Sequence, residues 1–99
     1  MSMITVFRSR LDPEAIEEYT THAVRLASRA PTMPGYVAHK TVVADDGERV
    51  TVVEFETDEQ QMVWAAHPEH REAQRLGRER FYTDYDIAVC EVVRRYRPT

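Results

Sequence analysis

Cysteine is nearly absent from this chain, and asparagine is absent altogether. The single Cys90 excludes an intramolecular disulfide and leads us to expect a reducing, cytoplasmic setting. No apolar run approaches the ~20 residues that a membrane-spanning helix needs, so no membrane association is expected. The opening Met1-Ser2-Met3-Ile4 lacks the basic start and apolar stretch of a signal peptide. A basic excess is also missing. The 13 Lys and Arg stand against 17 Asp and Glu, for a net charge of -4, which argues against a nucleic-acid partner. With only 3 glycines and 5 prolines the chain is not fibrous. It holds no internal repeat, linker or glycine-rich phosphate loop.

What is present is a globular composition. The 99 residues are 42% hydrophobic and 30% charged. That suits one domain spanning 1–99, able to bury roughly 60–70% of the surface its unfolded chain exposes.

Residues 3–11 (MITVFRSRL) read as a first strand, with Ile4 and Val6 on one face and Met3, Phe7 and Leu11 on the other. Asp12-Pro13 then opens a helix, Asp12 as N-cap and Pro13 in the first helical position. Ile16, Tyr19, Ala23, Leu26 and Ala30 recur at helical spacing, acidic residues lead, Arg25 and Arg29 trail, and Pro31 stops the helix. After the turn Met33-Pro34-Gly35, residues 36–43 form a second strand. Asp45-Asp46-Gly47 is a hairpin signal, and residues 48–56 form a third strand. Thr57 to Gln60 match a capping box, with Thr57 as cap and the Gln60 side chain reaching back. The helix through Met62, Val63, Trp64 and Ala65 breaks at His67-Pro68, because proline disfavours helical geometry in the residue before it. A second segment runs over 69–82, with Ala73, Leu76 and Phe81 inward. Residues 85–96 (YDIAVCEVVRRY) read as a long fourth strand.

The order is β-α-β-β-α-β with the second helix broken, a ferredoxin-like α+β fold. Its helices cover one sheet face only. Yet strands one, three and four carry apolar residues on both faces. A second copy of the chain, sheet against sheet, is the simplest cover, so a homodimer is expected.

The MPGY turn, Trp64-Ala65-Ala66-His67-Pro68-Glu69-His70, the run Gly77-Arg78-Glu79-Arg80-Phe81-Tyr82 and the ending Tyr85-Asp86-Ile87-Ala88-Val89-Cys90-Glu91-Val92 together resemble the antibiotic biosynthesis monooxygenase family. The resemblance covers essentially the whole chain. It implies a dimeric α+β barrel, with two protomers packing their sheets together and the helices outside. It also implies an oxygenase that oxidises small aromatic, polyketide-like molecules with O2 and needs no cofactor. In such enzymes an Asn, a Trp and polar Tyr, His or Arg partners line the cavity between sheet and helices. Trp64 matches the Trp; the Asn has no counterpart. Haem-degrading relatives carry an axial His nine or ten positions after the Trp, where this chain has Ala73-Gln74.

On this resemblance the expected catalytic residues are Trp64, as pocket wall and N–H donor, His70, as base, and Tyr82, as donor. Tyr36 and Arg78 are expected to bind substrate, and no cofactor or metal is expected. Each residue also has a plainer reading. Trp64 can be core. His67 and His70 form an H-x-x-H, but Pro68 lies between them, so His67 reads as a cap rather than a metal ligand. Tyr36 and His39, three apart on a strand, should point to opposite faces. Arg8, Glu54 and Glu91 read as a buried ion network. Arg75, Arg78, Arg80, Glu69, Glu72 and Glu79 read as a solvated helix face. Cys90 reads as an inert small hydrophobe on an internal strand. The rival functions are a non-catalytic small-molecule-binding domain on the same fold, favoured by the missing Asn, and haem binding.

Overall fold

The computed structural model describes residues 1–98. Strands β1 (Met3–Leu11), β2 (Tyr36–Val43), β3 (Arg49–Phe55) and β4 (Tyr82–Glu91) form one antiparallel sheet in the order β2-β3-β1-β4. Helices α1 (Ile16–Arg29), α2 (Asp58–Ala65) and α3 (Pro68–Leu76) lie between the strands in the chain, and a π-helical turn (Gly77–Phe81) leads into β4. This is the ferredoxin-like arrangement expected, with the second helix broken.

Local chemistry explains the boundaries. Asp12 caps as expected, its Oδ1 accepting from the Glu14 N–H at 3.0 Å. The first turn, however, is a 3-10 turn over Pro13–Ala15, and the α-helix proper starts at Ile16. The Asp12 carbonyl takes the Ala15 N–H at 2.9 Å, the tighter bond that such termini favour. At the hairpin, Gly47 has φ 90°, and its N–H donates to the Ala44 carbonyl at 2.9 Å. That left-handed conformation suits glycine, which has no Cβ. At the break, Pro68 occupies the first turn of α3, and His67 Nδ1 accepts from the Glu69 N–H at 3.2 Å. His67 is therefore the cap, as expected.

Three expectations are corrected. Only half of the capping box forms: Thr57 Oγ1 accepts from the Gln60 N–H at 3.2 Å, but the Gln60 side chain packs against Gly35. β4 covers Tyr82–Glu91 rather than 85–96. It begins early because Tyr82 pairs with Leu11 across a register shift. It ends where β1 runs out, with Glu91 opposite Met3 and the Val92 N–H bonded to the Ser2 carbonyl at 2.9 Å. β4 is also an edge strand, so Cys90 is exposed rather than internal.

The register sorts the two faces. Met3, Thr5, Phe7 and Ser9 pair with Phe55, Val53, Thr51 and Arg49. This is the helix-facing side, since Phe55 packs with Trp64 of α2, and Phe7 meets Tyr82, which in turn meets Tyr19 of α1. Ile4, Val6 and Arg8, paired with Glu54, Val52 and Val50, point the other way, and Val42 opposite Val50 is 51% exposed on that open face. The charges there pair, Arg8 with Glu48 at 3.1 Å and Glu54 with Arg95 at 2.8 Å. Glu91 sits opposite Met3 on the helix-facing side. The expected network of Arg8, Glu54 and Glu91 therefore divides between two faces.

Candidate functional site

The core gathers at the end of β3. Phe55 is 1% exposed and packs with Trp64 and Ala30, with Leu26, Met33, Tyr36 and Val53 around them. Trp64 reaches it from α2 because Thr57 starts that helix immediately after the strand. The break at Pro68 then returns α3 over the indole. The ring centroids of Trp64 and His70 are 4.8 Å apart, and those of Trp64 and His67 are 5.7 Å apart. Sequence reasoning thus brought together two residues, Trp64 and His70, that do meet.

His70 is held from two sides. The Gln74 side-chain amide lies 2.9 Å from its Nδ1. Burial pushes its pKa below the ordinary imidazole range; the Ala65 carbonyl opposes this, and nearby His67 adds to it. The ring is therefore neutral at pH 7. Trp64 is only 6% exposed, and among the described residues the one buried side-chain polar atom without a partner is elsewhere, the Gln60 Oε1.

Tyr36 lies on the same side, its ring edge-on to Phe55 with centroids 6.1 Å apart. The expectation that Tyr36 and His39 face opposite ways is corrected. A register shift between Tyr36 and Ala38 adds a residue, Val37, to the β2 side of the pairing. Such a bulge returns the next residues to the opposite alternation. Tyr36 Oη and His39 Nδ1 consequently meet at 2.6 Å. His39 was missed because nothing in the local sequence marks the bulge.

Tyr82, expected with Trp64 and His70, belongs to a second aromatic cluster. It contacts Phe7 at 5.2 Å, Tyr85 at 6.0 Å and Tyr19 at 6.1 Å between centroids, and it packs on Gly77. Burial above all, with Tyr19 beside it, pushes its hydroxyl pKa far up against the pull of Arg49. It is a donor, not a base. The Arg49 guanidinium stands 5.3 Å over the Tyr19 ring. Arg78 is exposed on the π-helical turn and, among the described residues, makes no ion pair, while Arg75 binds Glu79 at 2.7 Å and Arg80 binds Glu18. Two surface depressions lie elsewhere. One of about 220 Å³ is lined by His22, Arg25, Leu26, Pro68, Glu69 and Glu72, and one of about 420 Å³ holds Arg8, Arg10, Glu48, Asp84 and Asp86. Neither includes Trp64 or His70.

Sheet order, broken second helix and an aromatic site under the sheet define a ferredoxin-like α+β protein with a helix-side site. Residues 2–76 match the family model described as antibiotic biosynthesis monooxygenase. The chain belongs to that family. A relative from Bacillus subtilis (strain 168), the uncharacterized protein YqjZ, is 32% identical over 76 residues, covering 77% of this chain and 67% of that one. Among solved structures, Rv0793 from Mycobacterium tuberculosis superposes with a TM-score of 0.85 at 11% identity, covering 96% of this chain and 98% of that one. SnoaB from Streptomyces nogalater, a cofactor-independent oxygenase, superposes at 0.80 with 18% identity, covering 99% and 98%. These two likenesses establish fold. The residues at the haem-degrading relatives' axial position do not fit a haem, since Ala73 and Gln74 offer no imidazole.

A pH dependence follows from His70. Its folded pKa lies below the unfolded value of about 6.5. The unfolded state therefore binds more protons between those two values, and stability is lost as pH falls through about 6.5 toward the folded pKa. Urea midpoints at pH 7.5 and 5.5 should show a larger acid loss for the native protein than for His70→Gln. Equal losses would mean that the imidazole is not desolvated.

Proposed function

We propose that this protein is a cofactor-independent monooxygenase that oxidises a small, planar aromatic substrate with O2, and that it works as a homodimer. The observation that carries this reading is the mostly buried Trp64 indole with the His70 ring, held toward its neutral form by burial, packed against it at 4.8 Å between centroids. The indole carries an N–H donor, for which a substrate oxygen is a fitting acceptor. Family membership and the likeness to SnoaB support the choice of chemistry.

In the proposed reaction a phenolic or enolic substrate loses a proton to His70. To receive it, the Gln74 side chain swings off His70 Nδ1 and the substrate hydroxyl takes its place, so that the proton passes directly to the freed nitrogen. The Trp64 N–H holds the developing oxyanion, as a preorganised donor does. The substrate carbanion passes one electron to O2, and the two radicals combine to a peroxide. His70 returns its proton to the peroxide anion, and loss of water from the resulting hydroperoxide leaves a new carbonyl. For an anthrone, one O2 is consumed, one oxygen atom enters the quinone and the other leaves as water. Tyr36 and Tyr82 are candidate donors at the margins of the site, and Arg78 is a candidate contact for an acidic group on the substrate.

The second reading, a binding domain without turnover, is favoured by the absence of any Asn. Oxygen uptake separates the two. With an anthrone and chelator, and without NADH or flavin, uptake should saturate with substrate. Trp64→Phe should then cut turnover by about 10²-fold with little change in Tm. Saturable binding of the anthrone without uptake above the uncatalysed rate would favour the second reading.

The dimer is proposed from the open sheet face, where Ile4, Val6, Val42, Val50 and Val52 have no helix over them. Light scattering at micromolar concentration should return twice the chain mass. A monomer mass would contradict the proposal.

A further inference from the structure

Of the 13 Lys and Arg side chains, one is neither exposed nor ion-paired among the described residues, and it is Arg49. Every other basic side chain is bonded to a carboxylate or lies open to water. Taking a cation partly out of water without a counter-charge is costly. Arg49 begins β3 on the helix-facing side, between Ser9 and Val43 in the register. Its guanidinium stands 5.3 Å over the Tyr19 ring. A ring face attracts a cation, yet it does not take up the planar fork of N–H groups as a carboxylate does. Tyr82 lies beside Tyr19. Burial holds both hydroxyls protonated against the pull of Arg49, so both can donate.

This cluster opens toward β4. Tyr85, opposite Ser9, is 45% exposed, and Ile87, opposite Phe7, is 52% exposed. The depression of about 420 Å³ reaches Ser9 and Tyr85. Its carboxylates have arginines of their own. Glu48 is bonded by Arg8, and Asp84 and Asp86 stand opposite Arg10 and Arg8 across the β1–β4 pairing. Arg49 is the cation left over. We propose that Arg49 anchors a carboxylate-binding site separate from the Trp64–His70 site, with an aromatic monocarboxylic acid as its ligand. The carboxylate lies on the Arg49 fork, with the Tyr19 and Tyr82 hydroxyls as neighbouring donors, and the ring lies toward Phe7 and Tyr85. Arg49 and Tyr85 flank Ser9 from the two adjacent strands, so they are about 10 Å apart, the span of a two-ring acid. One guanidinium balances one negative charge, whereas a phosphate dianion would bring a second that nothing there matches. Arg49 and Phe55 are the two ends of β3, about 20 Å apart, which separates this site from Trp64. The assignment does not rest on the oxygenase reading.

The test is a calorimetric titration with two probes of one shape, 2-naphthoate and the uncharged 2-naphthamide, at physiological salt. The native protein should bind the naphthoate about tenfold more tightly. Arg49→Gln should bring the two affinities within about twofold, chiefly by weakening the naphthoate. Its urea midpoint should stay equal or rise, because a cation without a counter-charge has been removed. Arg49→Lys keeps the charge but loses the planar fork, so its preference should fall between the two. Arg71→Gln removes the same charge from an exposed position on α3 and should keep the full preference. A native protein that binds neither probe, or both equally, would overturn the assignment. So would a preference that survives in Arg49→Gln, or one lost equally in Arg71→Gln, which would make it an effect of net charge. Should Arg49→Gln fail to fold, Arg49→Lys decides, since the full native preference retained there would refute the bidentate contact.

Discussion

The burial of Phe55 is the contact on which the arrangement of the site depends. It is the last residue of β3, 1% exposed, and parts of the chain far apart in sequence close over it: Trp64 from α2, Ala30 from the end of α1, and Tyr36 from the start of β2. Burying one phenylalanine contributes roughly 1.5–3 kcal/mol. The larger consequence is positional. With Phe55 fixed, Thr57 starts α2 at once, and the break at Pro68 lays α3 back over the indole with His70 against it. The surface ion pairs Arg10–Asp46 and Arg75–Glu72 are exposed and contribute little by comparison.

Polar groups of the two separate helix-side aromatic clusters share a property suited to the proposed chemistry. His70 is pushed toward its neutral form by burial, and Tyr82 is pushed toward its protonated form by the same cause. A site lined by neutral dipoles costs little to keep apolar while empty, and it can still stabilise an anion that forms inside it. Apart from Arg49 over the Tyr19 ring, permanent charges lie elsewhere: Arg78 is exposed, and Arg8, Arg75 and Arg80 are paired at the surface. The substrate such a site suits is neutral on entry and acquires its charge by losing a proton.

Much of the fold was legible in the sequence because it is written in local periodicity. The alternation in 3–11, the cap at Asp12, the Asp-Gly hairpin and the proline break each name an element or its end, and each is found near its expected place. The failures have a common cause, a partner distant in the chain. β4 stops where β1 gives out, which no residue of 85–96 records. Val37 is bulged by the pairing of β2 with β3, in a stretch without the glycine or proline that would announce it. Gln60 suits a capping box by spacing, and Gly35, from another loop, draws it away. Of the site, the Trp64–His70 pair was legible because both flank the proline break. Tyr82 was misplaced because the π-helical turn carries it to Phe7 and Tyr19 instead.

The central claim is that this family member performs an oxygenation with O2 and its own neutral side chains. Isotope tracing tests it most directly. Metal-stripped protein, an anthrone and ¹⁸O2 in ordinary water should give a quinone carrying one ¹⁸O atom, formed at a rate that saturates with substrate and scales with protein concentration. A quinone appearing only at the protein-free rate, or one whose new oxygen comes from water, would contradict the account.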